Sequence, residues 1–313
     1  MKITYAFLRL VRWPNLLFFA LTQILFVYCI IHPVMAAAGV IPNIKGIYSV
    51  LLVTSYVLIY AEGYVINDYF DLNIDQINKP EKVVVDKIIS RRWVIFWHVF
   101  LSVAGIVIGF YIDWFTQVKF LGLLNAAVVA LLFVYSISLK KKLLIGNILV
   151  SALTAWAILV ITFCETSHLL QQGVIGSYTE KITRISFLYT GFAFVISLIR
   201  EVVKDMEDID GDRRYGCNTM PIAWGIQSTK IFVSVWFVVL IGVLMFVQFY
   251  VLILKWWWSA AYSLLLIILP LLYIFKLLLQ AKTSKDYHHL STLIKMVMFA
   301  GILSMLFFRI YLN

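Results

Sequence analysis

The chain has 313 residues, 63% of them hydrophobic and 13% charged, where a soluble domain is about 45–50% apolar and about 25% charged. This excludes a soluble globular protein and fits an integral membrane protein, with ten Trp among its aromatics to populate interfacial belts. The net charge of +10 sits on a chain too deeply embedded to suit nucleic acid, and three scattered Cys with no CxxC or HExxH give a zinc site or disulfide framework no support.

A membrane-crossing helix needs about 20 apolar residues. Nine segments qualify, near 14–38, 46–70, 92–112, 118–138, 145–164, 184–205, 229–251, 256–278 and 290–311. The first follows Lys2, Arg9 and Arg12, runs past signal-peptide length and has no clear cleavage site, so it reads as a retained crossing. The expected architecture is all-α: one domain over residues 1–313, a multi-pass bundle of nine transmembrane helices. With nine crossings, 20 of the 26 Lys and Arg fall on the side of the N-terminus. That bias puts the N-terminus in the cytoplasm and the C-terminus outside the cell membrane.

Positive charge on the cytoplasmic side follows from this rule, but acidic residues there do not. Helix two ends in "VINDYFDLNID", with Asp68, Asp71 and Asp75. Helix six ends in "KDMEDIDGD", which offers Asp205, Asp208 and Asp212 at the same i, i+3, i+7 spacing. On a helix such positions fall within about 60° of each other and make one acidic stripe. Glu207 and Asp210 fall outside the stripe, and Gly211 is a candidate helix stop. A solvated helix end with chance acidic residues accounts for one such cluster, but poorly for two of equal spacing on one side.

A carboxylate at membrane depth costs several kcal/mol unless it faces a wet cavity, a partner or a metal. Oxygen-only ligands select hard cations, Mg²⁺ or Mn²⁺. Mg²⁺ takes one or two carboxylates and completes its shell with water and phosphate oxygens. The two stripes therefore point to a Mg²⁺-bridged diphosphate, with Asn67 adding or orienting an oxygen ligand. Lys79, Lys82, Lys140, Lys141 and Lys204 are candidate diphosphate contacts, set against simple flanking charge; Lys204 lies within the second stripe's own turn. Glu62 lies deeper in helix two and is a candidate general base, proton-relay group or hydrogen-bonded structural partner.

"NDYFDLNID" resembles the NDxxDxxxD signature of the UbiA superfamily of intramembrane prenyltransferases, and "KDMEDIDGD" resembles its second aspartate-rich motif. "RLVRWPN" (9–15) and "YSISLKKKLLIGN" (135–147) extend the likeness over nearly the whole chain. The resemblance implies nine helices around a central cavity, with Mg²⁺ ions bridging Asp68, Asp71, Asp75, Asp205, Asp208 and Asp212 to a prenyl diphosphate. It also implies an apolar tunnel for the isoprenoid tail, and functional roles for Asn67, Tyr135 and Lys140. "REVVKDMEDIDGDRRYGCNTMPI" looks most like the branch that alkylates geranylgeranylglyceryl phosphate. Where the family commonly has RPxRP-like residues, this chain reads Lys79-Pro80-Glu81-Lys82, a departure that bears on the acceptor.

The expected activity is Mg²⁺-dependent transfer of a prenyl group from an allylic diphosphate to a membrane-associated acceptor, a glycerol-phosphate lipid or, as the alternative, an aromatic quinone precursor. An ion-coupled transporter is the non-enzyme alternative. Transporter sites usually lie near the bilayer midplane in broken helices, whereas these carboxylates end helices two and six, neither of which contains Pro.

Overall fold

The computed structural model describes residues 2–78, 83–171 and 176–312. Among the described residues the chain is helical throughout, apart from turns and one isolated bridge between Val85 and Ile89. A short helix α1 (Lys2–Leu10) leads into α2 (Trp13–Ala37), α3 (Ile47–Asn78), α4 (Arg91–Phe115), α5 (Leu121–Ile137), α6 (Ile145–Gln171) and α7 (Ser177–Glu207). Two small helices, α8 (Ile209–Arg214) and α9 (Met220–Ala223), precede α10 (Gly225–Ile253), α11 (Trp257–Gln280) and α12 (Ser284–Leu312). All nine expected crossings are helices. Eight are long and apolar enough to cross a membrane; α5, with 17 residues, is the short one.

Local chemistry shapes these helices. Both π-helical stretches, Phe26–Ile31 in α2 and Leu264–Ile268 in α11, lie just before a proline, Pro33 and Pro270. Proline lacks an N–H and its ring crowds the carbonyl four residues back, and a widened turn relieves both problems. α3 contains neither proline nor an internal break and runs 32 residues, well past the expected end at residue 70. The first motif therefore stays on one continuous helix. The second does not: α7 ends at Glu207, Asp208 has non-helical angles (φ −98°, ψ 10°), and α8 restarts at Ile209. The expected single stripe of Asp205, Asp208 and Asp212 is thus split, at Asp208 rather than at Gly211.

Two buried apolar clusters organise the bundle. One is built mainly from α1 to α6, the other from α7, α10, α11 and α12. The outward faces are apolar and exposed, as at Phe246 and Ile253 of α10, which is inexpensive only against lipid. Because lipid is as apolar as Leu, small residues and interhelical hydrogen bonds must hold such helices together. In the first half, fully buried Asn125 of α5 donates to Ser55 Oγ (2.9 Å) and to the Gly105 carbonyl (3.1 Å), and Ser55 donates to the same carbonyl (2.8 Å). Gly109 makes room: a Cβ there would lie 2.5 Å from Asn125 Nδ2.

Two acidic residues away from the motifs act as backbone caps. Asp113 accepts from the N–H groups of Leu121 (3.0 Å) and Gly122 (2.9 Å), the orphan donors at the start of α5. Glu165 accepts from Asn43 N (2.8 Å) and Ile44 N (3.0 Å), clasping the α2–α3 connection. Asp113→Ala should cost about 1–2 kcal/mol, the usual worth of a helix N-cap. The expected readout is a lowered thermal midpoint of the purified protein; an unchanged midpoint would remove Asp113 from the capping role.

Candidate functional site

Between the two halves lies a cavity of about 760 Å³, lined by α1, α2, α3, α5, α6, α7, α12 and the segments around α8. One end is charged. Asn67, Asp68, Asp71 and Asp75 of α3 line it together with Asp205, Asp208 and Asp212. Tyr135, Lys140, Lys141 and Lys204 line the same space. Beyond them the wall turns apolar and aromatic, through Phe18, Tyr60, Leu132, Leu153 and Phe192 to Met305. The α4, α10 and α11 helices contribute nothing to this lining.

The two aspartate segments are tied together by Asn78, one turn beyond Asp75. Its Nδ2 donates to the Asp208 carbonyl (3.1 Å), and its Oδ1 accepts from Gly211 N (2.9 Å). A Cβ on Gly211 would lie 2.3 Å from Asn78 Oδ1, so the close approach requires glycine. Tyr135 lines the cavity close enough to Asp71, Glu201 and Asp205 to feel all three charges. The two motifs thus share one chamber.

Three of the motif carboxylates, Asp68, Asp71 and Asp205, have partners within hydrogen-bond distance. Arg12 Nη2 bonds Asp68 Oδ1 at 2.7 Å, and its guanidinium lies 5.1 Å from the Tyr64 ring centroid. The Asp68 charge raises the Arg12 pKa further, so Arg12 is a permanent cation. Arg12 adopts left-handed angles (φ 52°, ψ 50°) between α1 and α2, a conformation that non-glycine residues visit at a cost. Lys140 Nζ bonds Asp71 Oδ1 (2.6 Å) and Asn67 Oδ1 (3.3 Å), and Asn67 Nδ2 donates to Asp71 Oδ2 (2.8 Å). Asn147 Nδ2 donates to Asp205 Oδ2 (2.9 Å).

One expected residue falls elsewhere, and two are not among those described. Lys79 and Lys82 lie outside the described residues. Glu62 is fully buried but off the cavity wall, where His98 Nδ1 of α4 approaches its Oε2 at 2.7 Å and the His98 ring stacks on Phe133. The general-base reading of Glu62 therefore loses its geometry, and the structural-partner reading fits. Helical spacing carries the reason: nine residues at about 100° each set Glu62 opposite Asp71. Glu207, read as outside the stripe, does line the cavity and meets His288 Nδ1 at 2.9 Å, whereas Asp210 is exposed.

Sequence reasoning missed Arg12, Asn78, Asn147, Glu201 and Lys295, all but Asn147 on the cavity wall. Asn78 and Glu201 had a signal, since both extend the stripes by one helical turn. Arg12 lies within the family-like "RLVRWPN", but its pairing with Asp68, 56 residues away, had no local signal.

The donor set suits a hard cation. No three Asp, Glu, His or Cys side chains among the described residues converge into a closed metal cluster. An ion held by one or two carboxylates, with water and phosphate completing its shell, needs no such cluster. Cys217 also lines the cavity, but burial, aided by Asp212, pushes its thiol up to about 11. The donors that the two aspartate motifs supply are all oxygens.

A family model described as the UbiA prenyltransferase family matches residues 12–302. A digeranylgeranylglyceryl phosphate synthase from Methanothermobacter thermautotrophicus is 33% identical over 214 residues, 64% of this chain and 68% of that protein. A solved structure concerned with a digeranylgeranylglyceryl phosphate synthase in membranes superposes with a TM-score of 0.61 at 22% identity, covering 98% of this chain and 99% of that one. A UbiA homologue from Archaeoglobus fulgidus, solved with DMAPP and Mg²⁺, gives a TM-score of 0.56 at 14% identity, covering 95% and 99%.

The Asn78 tie predicts a local effect. Asn78→Ala should speed hydrogen exchange at the Gly211 amide by roughly tenfold, the equivalent of one lost hydrogen bond. Unchanged exchange would show that α8 holds its place without α3.

Proposed function

This chain belongs to the UbiA prenyltransferase family, and we propose that it moves the prenyl group of an allylic diphosphate onto the hydroxyl of a glycerol-phosphate lipid such as geranylgeranylglyceryl phosphate. It is an integral membrane prenyltransferase. We place the charged end of the cavity at the cytoplasmic face, following the Lys and Arg bias, and assign Mg²⁺ as the cofactor. The observation that carries the reading is the chamber itself: two aspartate segments joined through Asn78, faced by lysines, opening onto a long apolar wall. The family resemblance of the second motif and the name of the 33%-identical relative support the lipid acceptor.

Mg²⁺ would be held by carboxylates drawn from Asp68, Asp71, Asp75, Asp205, Asp208 and Asp212, and when bound it supplies positive charge to the leaving diphosphate. The residues of the chain do the rest. Lys140 and Lys141, with Lys204, present ammonium groups to the phosphate oxygens, where charge builds as the allylic C1–O bond breaks. Asn67 orients Asp71 and Lys140 through its two side-chain bonds. Tyr135 sits between the two motifs and offers a polarisable ring near the developing allylic cation. The apolar wall holds the isoprenoid tail and excludes water, which would otherwise capture the cation. The acceptor hydroxyl attacks C1, an ether C–O bond forms, and the hydroxyl proton leaves. With Glu62 off the wall, the motif carboxylates remain as candidates for its acceptor.

Purified protein offered several prenyl diphosphates with Mg²⁺ should convert geranylgeranylglyceryl phosphate to an ether-linked product identified by mass spectrometry. Prenylated hydroxybenzoate as sole product would overturn the lipid-acceptor reading. Asp68→Asn and Asp208→Asn should each lower transfer at least about 100-fold without loss of folded protein, and EDTA should abolish activity reversibly. Full activity of Asp68→Asn at limiting Mg²⁺ would remove the metal assignment. Glu62→Gln should keep kcat/KM within about threefold of wild type, as expected of a residue that makes no transition-state contact; a 100-fold loss with intact folding would return Glu62 to the mechanism.

A further inference from the structure

The cations of the chamber are not evenly balanced. On the α3 side, Arg12 is paired with Asp68 and Lys140 with Asp71. On the opposite wall, α7 and α12 contribute Arg200, Lys204 and Lys295, all lining the cavity. Glu201 accepts from Arg200 Nη1 (2.9 Å) and lies 3.6 Å from Lys204 Nζ. It thus pairs with two of the three cations, and no ion pair among the described residues reaches Lys295.

Lys295 stands out within this group. It lies in a membrane-crossing helix, where an ionisable residue is a functional-site hypothesis by default. Its partners carry no negative charge: Nζ donates to Asn15 Oδ1 (2.6 Å) and lies 5.0 Å from the Phe18 ring centroid. Its charged neighbours are Arg200 and Lys204, both cations. Arg200 adds an independent sign of an unfilled site, because its Nε is buried without any hydrogen-bond partner. A guanidinium with one unpartnered N–H beside a lysine whose hydrogen-bond partner is neutral suits a phosphate monoester, which has oxygens for both. From Lys295 the α12 wall continues through Met298 and Ile302, an apolar track for a lipid tail.

We propose that Arg200 and Lys295, with Asn15 orienting the lysine, form a second anion subsite that holds the phosphate of the acceptor lipid. It is separate from the diphosphate-binding positions around Asp71 and Lys140. This rests on the glycerol-phosphate reading above. It makes the enzyme two-laned: the donor diphosphate lies between the two aspartate segments, within reach of Lys140 and Lys204, and the acceptor phosphate lies at Arg200 and Lys295, against α2 and the preceding turn of α7. The acceptor hydroxyl then enters the chamber from the wall opposite Lys140, and an acceptor lacking the phosphate loses its anchor.

The test is steady-state kinetics of wild type, Lys295→Met, Lys295→Arg and Arg200→Met. Two acceptors are compared: geranylgeranylglyceryl phosphate and the same lipid without its phosphate. Lys295→Met and Arg200→Met should raise KM for the phosphorylated acceptor at least tenfold and move KM for the prenyl diphosphate less than threefold. Lys295→Arg, which keeps the charge, should recover to within threefold. The phosphate-free lipid should show a high KM in wild type and the same KM in Lys295→Met. A thermal-shift titration with geranylgeranylglyceryl phosphate alone reports both folding and binding, and should stabilise wild type but not Lys295→Met. A rise in KM for the prenyl diphosphate instead would assign these residues to the donor site, and no change in either KM would remove the subsite. Should wild type turn over aromatic acceptors but not geranylgeranylglyceryl phosphate, the lipid-acceptor reading falls first and this subsite falls with it.

Discussion

Everything at the charged end of this protein follows from the cost of placing carboxylates at membrane depth. A lone Asp there costs several kcal/mol, so each must be matched by a cation, a donor or a wet cavity. Arg12 meets Asp68, Lys140 meets Asp71, and Asn147 meets Asp205. These contacts come from the α1–α2 junction, α3, the α5–α6 connection, α6 and α7 at once, so the same interactions that make the aspartates tolerable also converge the helices on one chamber. The left-handed backbone at Arg12 fits this picture: local strain is accepted where a side chain must reach a particular spot.

The chain's own cations do more of the balancing than residue spacing suggests. Two bare acidic rows would demand divalent metal outright, yet Arg12 and Lys140 already pair with Asp68 and Asp71 of the first. Under the proposed function this matters for the chemistry. Guanidinium and ammonium groups beside the carboxylates are ready to turn toward an incoming diphosphate, while the carboxylates turn toward the metal that accompanies it. The cavity is then prepared for charge to be exchanged in pairs, with little net field to build when substrate enters.

Much of this was legible from residue order. Nine crossings, the helical nature of both motifs and their convergence follow from apolar run length and from i, i+3, i+7 spacing. Where the reading failed, the cause was physical. The second stripe breaks because Asp208 leaves helical geometry, so Asp212 reaches the chamber from a separate short helix. Glu62 attracted a catalytic role by its depth alone, although its angular position sets it against His98. Arg12 and Asn147 lie in the family-like segments 9–15 and 135–147, but their partners, like that of Lys295, are set by long-range packing and lie 56, 58 and 280 residues away. The far-end acids Asp113 and Glu165 show the opposite case, carboxylates whose partners are backbone N–H groups and whose work is structural.

The most direct test of the central claim is crystallographic: locate Mn²⁺ by anomalous scattering in protein loaded with a non-hydrolysable prenyl thiodiphosphate. The account predicts metal ligated by at least one carboxylate from the Asp68–Asp75 segment and one from the Asp205–Asp212 segment, with diphosphate oxygens between them. Metal held by one segment alone, or diphosphate bound away from both, would contradict it.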